Sequence, residues 1–233
     1  RVQVKAEVDP TVFTPVPWPE TRPAAWLREA LPEGGRVGYD AWLHTRREIR
    51  DLEKELIGSG IALIAVEHNP IDAVWPDQPA APVGAVRLWP AAVAGESAAD
   101  KRARIAAGLR AAGQRAAVLT LPDSLSWLLN IRGADVPKNP VVQGFAIIED
   151  NGHVAVFANP EKFDAEVRAA LGNEVSILPL VALTPALTNL SGPVLVDPAS
   201  APDRVFTLIE SMATPIAEAA DPVILPKARK NPA

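Results

Sequence analysis

The sequence predicts a three-layer α/β/α domain with a mixed sheet. From about residue 36 onward, apolar strand-like segments alternate with helical segments, which is the order of elements found in α/β proteins. Most helical segments start at a capping residue and stop at glycine or proline. Two neighbouring strand-like segments are joined by an Asn-Gly turn, which predicts one antiparallel hairpin within the sheet.

The N-terminal segment predicts only a few elements. Apolar residues occupy alternate positions within residues 1–9, and this period predicts a half-buried strand. After a proline-rich connection, residues 24–31 predict a short helix that stops at Pro32. Residues 1–35 are too few to bury a core of their own. We therefore expect them to be the last part of a larger unit.

The next segment predicts a strand, a helix and a second strand. Residues 36–40 form the first strand, and Thr45 with Glu48 has the spacing of a capping box that opens the helix. Gly58 and Gly60 then end the helix. Residues 61–66 are all apolar, which predicts a strand buried on both faces.

A further helix, strand and short helix follow a proline-rich stretch. Ser97 and Asp100 predict a helix start, and the helix ends at Gly113. Residues 116–121 are apolar and predict a second buried strand. Asp123 or Ser124 is then expected to cap a short helix that reaches Leu129.

The C-terminal half completes the alternation. Residues 141–150 and 152–159 predict the hairpin, because Asn151-Gly152 is a preferred turn pair. A helix is expected from Asn159-Pro160 to Gly172. The remaining elements are strands over 175–180 and 193–197 and a helix over about 200–212.

Composition and charge restrict the class of protein. The chain has no cysteine, so disulfides, thiolate nucleophiles and zinc-thiolate sites are excluded. A net charge of −5 argues against a nucleic-acid-binding protein, which normally carries a basic face. No apolar run approaches the ~20 residues of a membrane helix, and none near the N-terminus resembles a signal peptide. We expect a cytoplasmic globular protein with neither membrane nor nucleic-acid partners.

Motifs for catalysis or metal binding are missing from the sequence. His44, His68 and His153 lack the helical spacing of metal ligands, and solvated or locally hydrogen-bonded histidines are expected. There is no G-x-S-x-G, P-loop or G-x-G-x-x-G pattern, which also disfavours a small-molecule-binding α/β domain. The sequence therefore predicts no catalytic and no metal-ligating residue in this chain.

The tryptophans and one basic cluster each allow more than one interpretation. Trp26 and Trp127 have the spacing of core residues, whereas Trp75 and Trp89 lie in proline-rich loops and are candidates for a cleft or an interface. A basic cluster opposes the dipole of the helix start. It predicts either a solvated face or a surface for an acidic partner, and its members are His44, Arg46, Arg47 and Arg50.

The loop within residues 127–148 carries more charge than a short connection requires. Asn130 and Gly133 can end the preceding helix, with Gly133 tolerating a positive φ. Arg132 and Asp135 are close enough to pair and fix the corner. Alternatively, Asp135 orients Arg132, which projects toward another domain or a second subunit, where its guanidinium could bind a carboxylate bidentately. Asn130, Arg132, Asp135 and Lys138 are accordingly candidates for a cleft or an interface.

Four ordered segments resemble the three-domain aminopeptidase P family, the Xaa-Pro aminopeptidases related to creatinase and prolidase. They are "VGYDAWLHT" at 37–45, "NPIDAVWPDQPAAPV" at 69–83, "SWLLNIRGADVPKNPV" at 126–141 and "LPKARKNPA" at 225–233. Ala41, Gln78 and Lys138 depart from the family pattern, where proline, arginine and histidine are common. The resemblance implies a fold like the N-terminal domain of creatinase and prolidase.

The resemblance also implies how the chain is divided and what it does. Residues 1–35 would be the C-terminal remnant of a first creatinase-like domain, 36–225 a complete middle domain, and 226–233 a linker toward a catalytic domain. That further domain would hold two divalent, manganese-like metal ions and remove the residue before a penultimate proline. The present region would be non-catalytic and would shape the peptide cleft and a homodimer. The alternative is a stand-alone protein-binding module without catalysis.

Overall fold

The strands form two sheets and a short ribbon. A computed structural model describes residues 2–17 and 19–229. The strands are β1 Gly35–Asp40, β2 Ile61–Val66, β3 Arg87–Leu88, β4 Ala116–Leu119, β5 Ile131–Arg132, β6 Phe145–Glu149, β7 Val154–Phe157, β8 Val175–Leu178, β9 Val194–Val196 and β10 Ile216–Glu218.

Helices connect most of these strands. They are α1 Val2–Glu7, α2 Pro23–Ala30, α3 Arg46–Leu56, α4 Pro70–Val74, α5 Ala91–Ala94, α6 Ala98–Ala111, α7 Pro122–Leu128, α8 Ala165–Leu171, α9 Leu183–Thr188, α10 Asp203–Glu210 and α11 Ile224–Ala228. No described helix is long and apolar enough to cross a membrane.

The larger sheet has six strands in the order β10-β9-β4-β6-β7-β8. Strand β6 runs antiparallel to both of its neighbours, and the other pairings are parallel. The predicted hairpin is confirmed, since β6 and β7 are joined by a turn in which Gly152 has a φ of 92°. The Asn151 side chain accepts a hydrogen bond from the backbone N–H of His153 at 2.8 Å, which stabilises that turn.

Helices cover both faces of this sheet. On one face, α6, α7 and α8 contribute to a buried apolar cluster that includes Leu109, Leu128 and Val167. On the other face, α9 and α10 contribute to a second cluster that includes Leu187 and Phe206. The predicted three-layer α/β/α fold with a mixed sheet is therefore confirmed.

A second, smaller sheet consists of the parallel strands β1 and β2 alone. Helix α3 connects them and begins with the predicted capping box, in which Thr45 and Glu48 bond each other's backbone N–H. The expectation that residues 61–66 are buried on both faces is wrong, because along β2 half-buried residues are interspersed with exposed ones. Within the described residues, β1 and β2 are therefore not covered on both faces as the strands of most parallel sheets are.

Two arginines of the basic cluster link the smaller sheet to the rest of the chain. Arg46 pairs with Asp203 at 3.1 Å and with Glu210 at 2.6 Å. Arg50 makes two hydrogen bonds to Glu218, at 2.6 and 2.7 Å. The acidic surface that these arginines bind is thus part of this same chain. Whether residues 36–225 behave as one domain stays a prediction.

The N-terminal strand prediction is wrong. Within residues 1–9, residue 1 lies outside the described residues and the following six form helix α1. No described strand pairs with this segment, so its backbone bonds are satisfied locally, with an additional bond from Gln3 to Glu7 at 2.9 Å. Helix α2 agrees with the prediction for residues 24–31. Of the predicted linker 226–233, residues 230–233 also lie outside the described residues.

Three helix predictions needed correction at their ends. Helix α7 starts at Pro122, and neither Asp123 nor Ser124 caps it, because the fixed φ of proline suits the first helical position. The helix expected from residue 159 to 172 is broken into a 3₁₀ turn and α8, since Asp164 provides a second N-cap. Helix α10 is shorter than the expected 200–212. Helices α4, α5, α9 and α11 and strands β3, β5 and β10 were not predicted.

Candidate functional site around Trp89 and Arg132

Asn130 ends the helix that precedes the charged loop. Its φ of 50° is left-handed, and it is 8% exposed. The side chain accepts a hydrogen bond from the Lys101 ammonium at 2.6 Å and donates one to the carbonyl oxygen of Glu96 at 2.8 Å. These two bonds hold a backbone conformation that is otherwise unfavourable for a residue with a side chain.

Gly133 serves a different purpose from the predicted one. It is not among the described residues with positive φ. A Cβ atom at this position would lie 2.4 Å from the carbonyl oxygen of Val141, so only glycine allows the two backbone segments to approach.

Lys101 lies beneath the loop and was missed by the sequence analysis. It is 1% exposed, its Nζ also donates to the carbonyl oxygen of Trp127 at 3.0 Å, and it lies 4.1 Å from the centre of the Trp127 ring. Burial lowers the pKa of Lys101 to about 8, although the charge of Glu96 opposes this change. Lysine on an amphipathic helix usually faces solvent, so nothing in its local sequence indicates burial.

The short antiparallel ribbon of β3 and β5 carries two arginines, and a tryptophan follows β3 directly. Arg87 and Arg132 are direct partners across the ribbon. Their guanidinium carbons lie 5.9 Å and 4.9 Å from the centre of the Trp89 ring. Burial and then the charge of Arg87 lower the pKa of Arg132. The backbone N–H of Trp89 donates to the carbonyl oxygen of Asn130 at 2.7 Å, which fixes the ribbon to the helix end.

The predicted pair between Arg132 and Asp135 is wrong. Asp135 instead binds the ammonium of Lys162 at 2.9 Å, and both side chains are buried. Its carboxylate also accepts the backbone N–H of Gly84 at 3.0 Å and of Gln143 at 2.9 Å. Asp135 therefore ties three distant segments together and acts as a structural residue. The alternative role, in which it orients Arg132, is excluded by the same contacts.

The other sequence candidates lie apart from this group. Trp75 follows helix α4 and is 44% exposed, and Lys138 is an exposed turn residue with a φ of 65°. Among the described residues, no hydrogen bond, ion pair or ring contact joins either of them to Trp89. The core assignment of Trp26 is wrong because it is 50% exposed, whereas Trp127 packs against the core as expected.

Two cavities adjoin these elements. One has a volume of about 370 Å³ and is bordered by Trp89 and Asn130. Its remaining walls are mostly apolar and include Pro90, Ala98 and Leu171. A second cavity, of about 420 Å³, lies near Phe145 and Pro160 at the end of the six-stranded sheet. Both volumes fall within the range of small-molecule sites.

In the described part of the chain, no group of three or more His, Asp or Glu side chains could hold a metal ion. The Nε2 atom of His153 lies 3.0 Å from the Ser176 hydroxyl, which gives this histidine a local hydrogen-bond partner.

Sequence and structure comparisons relate the chain to known proteins. Residues 77–233 match the protein family described as Creatinase/Prolidase N-terminal domain. The chain is 35% identical over 155 residues to a probable Xaa-Pro aminopeptidase P of Talaromyces marneffei and 37% identical over 155 residues to one of Aspergillus niger. These matches cover 66% of this chain but only 23% and 25% of the relatives. The chain thus spans about a quarter of the length of the curated relatives it matches.

A solved structure shares the fold over nearly the whole chain. It is an X-prolyl aminopeptidase from Caenorhabditis elegans, described as a cytosolic enzyme with a di-nuclear active site. The TM-score is 0.85 at 24% sequence identity, and the match covers 99% of this chain and 39% of that one. At this identity the likeness establishes the fold alone.

Proposed function

Since the chain belongs to the family of creatinase/prolidase N-terminal domains, we propose that it is a non-catalytic region of a metal-dependent Xaa-Pro aminopeptidase. The parent protein would remove the N-terminal residue before a penultimate proline. The present region would form one wall of the peptide cleft and part of a homodimer. The observation that carries this proposal is the 35–37% identity to Xaa-Pro aminopeptidases over 155 residues.

The residues of this chain support placing the metal site in another region of the parent protein. A di-nuclear site needs a compact set of carboxylate and imidazole ligands. The described residues do not fit such a pair of ions, since they offer no group of three suitable side chains. Two divalent, manganese-like ions would therefore be held by a separate catalytic region of the parent.

The cleft or interface surface would include the ribbon of β3 and β5. Arg132 is half-buried and stacks on Trp89 while its Nη1 donates to the carbonyl oxygen of Ile131 at 2.8 Å. These contacts fix a guanidinium in one orientation, which favours recognition of a carboxylate over a mobile surface charge. Asn130 supports the same turn. Trp75 and Lys138 would contribute to another part of the surface.

The division into domains is proposed on the same basis. The family match begins at residue 77, after the small sheet of β1 and β2. The small sheet would belong with residues 1–35 to the end of a first creatinase-like unit, or alternatively to a middle domain over 36–225 as the sequence motifs suggest. Contacts of Arg46 and Arg50 hold it against the six-stranded unit in either arrangement.

The proposal is tested by separating the present region from the parent activity. The full-length parent, supplied with Mn²⁺, should cleave Xaa-Pro peptides and leave matched Xaa-Ala peptides intact. The 233-residue chain alone should show no turnover of either peptide under the same conditions. Release of the first residue, followed by chromatography of the products, is the measurement.

Metal-dependent turnover by the 233-residue chain itself would contradict the proposal. A parent that binds Xaa-Pro peptides without cleaving them would instead support the stand-alone binding module. A sample treated with a chelator controls for cleavage that does not depend on metal.

A further inference from the structure

The ribbon of β3 and β5 contains an arrangement that costs stability. Arg87 and Arg132 face each other directly across an antiparallel pair. Like charges at opposed positions repel each other and destabilise a ribbon. The lowered pKa of Arg132, caused by burial and by Arg87, is consistent with this repulsion. A ribbon selected only for stability would place at least one neutral or acidic residue here.

No carboxylate of the described chain compensates these charges. Neither Arg87 nor Arg132 forms an ion pair with a described residue, whereas Glu96 is paired with Arg104 at 2.6 Å. The Nη1 of Arg132 donates to backbone carbonyl oxygens, but its Nε and Nη2 make no hydrogen bond and are not buried. Two guanidinium groups with accessible donors therefore flank a single indole ring.

A cavity lies beside the same tryptophan residue. Trp89 borders the cavity of about 370 Å³, whose walls also include Leu88, Pro90 and Leu129. Arg102 lines it too, and its buried Nε has no hydrogen-bond partner within the described residues. Concave, mostly apolar sites with a few polar groups are typical of small-molecule binding.

We propose that Arg87, Trp89 and Arg132 form a receptor for the carboxylate of a small organic ligand whose apolar part occupies the adjoining cavity. The two guanidinium groups would share the carboxylate, which removes their mutual repulsion. Planar guanidinium and carboxylate groups match each other bidentately, and such charge-assisted bonds are among the strongest in proteins. The C-terminal residue of a short peptide and a simple aliphatic acid both carry this chemistry.

The binding test uses matched pairs of ligands on the 233-residue chain. N-acetyl-Ala-Leu and hexanoate present a carboxylate on an apolar body, and N-acetyl-Ala-Leu-amide lacks only the charge. We expect both carboxylates to shift the NMR signals of the Trp89 indole N–H and the Arg132 Nε–H in a saturable manner. The amide should leave these signals unchanged. Trp89→Phe assigns the indole signal.

Substitutions then separate binding from folding. Arg87→Gln and Arg132→Gln should each raise the Kd of the carboxylates about tenfold, because each removes a charge-assisted bond. Arg87→Gln should leave the melting temperature unchanged or raise it, since it relieves a like-charge pair. Arg47→Gln is the matched control, because Arg47 is an exposed arginine on α3 away from the ribbon, and it should bind as the wild type does.

The outcomes distinguish the sources of the carboxylate. Selective binding of the peptide acid supports a peptide ligand, and equal binding of hexanoate supports aliphatic acids more generally. Equal binding of the amide, tighter binding of inorganic phosphate, or unchanged affinity in both arginine variants would overturn the receptor. The measurement is of binding alone, so its result does not depend on whether the parent cleaves Xaa-Pro peptides.

Discussion

The two sheets of this molecule are stabilised in different ways. Strand β4, at the centre of the six-stranded sheet, is buried throughout, and Ala117 and Leu119 are both 0% exposed. Strand β2 of the smaller sheet has a similar apolar sequence, yet its residues are half-buried or exposed. An apolar segment therefore becomes a core strand only where the fold supplies a layer on each side.

Polar contacts attach the smaller sheet to the rest of the described chain. The Tyr39 hydroxyl donates to the Asp203 carboxylate at 2.7 Å, and Arg46 lies 3.1 Å from the same carboxylate. Burial and then the Asp203 carboxylate raise the pKa of Tyr39, which favours the protonated hydroxyl that donates this bond. Arg46 also lies over the ring of Phe206 at 4.8 Å. The smaller sheet is thus fixed by directional contacts, whereas the larger sheet is fixed by burial.

Truncating a leucine in each sheet gives the largest expected difference. Leu119→Ala should lower the free energy of unfolding by about 2–5 kcal/mol, the range for a buried leucine that leaves a cavity. Leu63→Ala in β2 removes a side chain that is only half-buried, so a loss of about 1 kcal/mol is expected. Urea denaturation of both variants measures the two values.

Leu43→Ala provides a control, because this leucine is 68% exposed and its loss should change little. Equal losses for Leu119→Ala and Leu63→Ala would show that β2 is as deeply buried in solution as β4. The contrast between the two sheets would then be incorrect.

Local signals allowed much of the fold to be predicted. The capping box of Thr45 and Glu48, the Asn151-Gly152 turn and the apolar run at 116–119 all depend on neighbouring residues, and all are confirmed. The strand predicted for residues 1–9 failed because a strand needs a partner, and its sequence does not say whether one exists. The prediction that β2 is buried on both faces was wrong for a similar reason, because its sequence does not show which layers cover it.

The candidate site was predicted less well because its contacts join distant segments. Asp135 was expected to pair with Arg132, three residues away, but its partner Lys162 is 27 residues away. Stacking of Arg132 on Trp89 and burial of Lys101 likewise join residues far apart in the sequence. The sequence identified Asn130, Arg132 and Trp89 as notable, but it could not show which of the candidates meet.

Removing the charge of Asp203, between the two sheets, should lower the free energy of unfolding by an intermediate amount. Asp203→Asn preserves the acceptor for Tyr39 but leaves Arg46, whose side chain is 15% exposed, with only Glu210 as an ionic partner. Breaking one partner of a buried pair is destabilising, and the remaining pair moderates the loss to roughly 2 kcal/mol. Hydrogen exchange should show reduced amide protection in β1 and β2 before any change in β4.

Arg50→Gln is the exposed counterpart, since Arg50 and Glu218 are 40% and 36% exposed and such pairs contribute little. If Asp203→Asn lowers protection equally in β4 and β2, the two sheets unfold as one cooperative unit. The directional contacts would then have no separate role.

The smallest expected change in the free energy of unfolding comes from Lys101, the buried lysine beneath the candidate site. Its pKa is about 8 in the folded chain, below the ordinary value of 10.5. Between these values the unfolded chain holds a proton that the folded chain has released, so stability rises with pH. Relative to Lys101→Met, the wild-type free energy of unfolding should rise by about 1–2 kcal/mol from pH 8 to 9.5.

Well below pH 8, the folded and the unfolded chain both hold the proton on Lys101, so the difference between wild type and Lys101→Met should become constant there. Lys54→Met is the matched control for the loss of a lysine side chain from a helix, because the Lys54 side chain is 71% exposed. A difference between wild type and Lys101→Met that does not change with pH would mean that the Lys101 ammonium is solvated in solution. Unlike Arg46, which meets two carboxylates at the smaller sheet, Lys101 relies on Asn130, a backbone carbonyl and an indole ring. If the difference between wild type and Lys101→Met rises with pH, the packed layer beside the larger sheet holds this lysine without an ion pair only because its pKa is lowered.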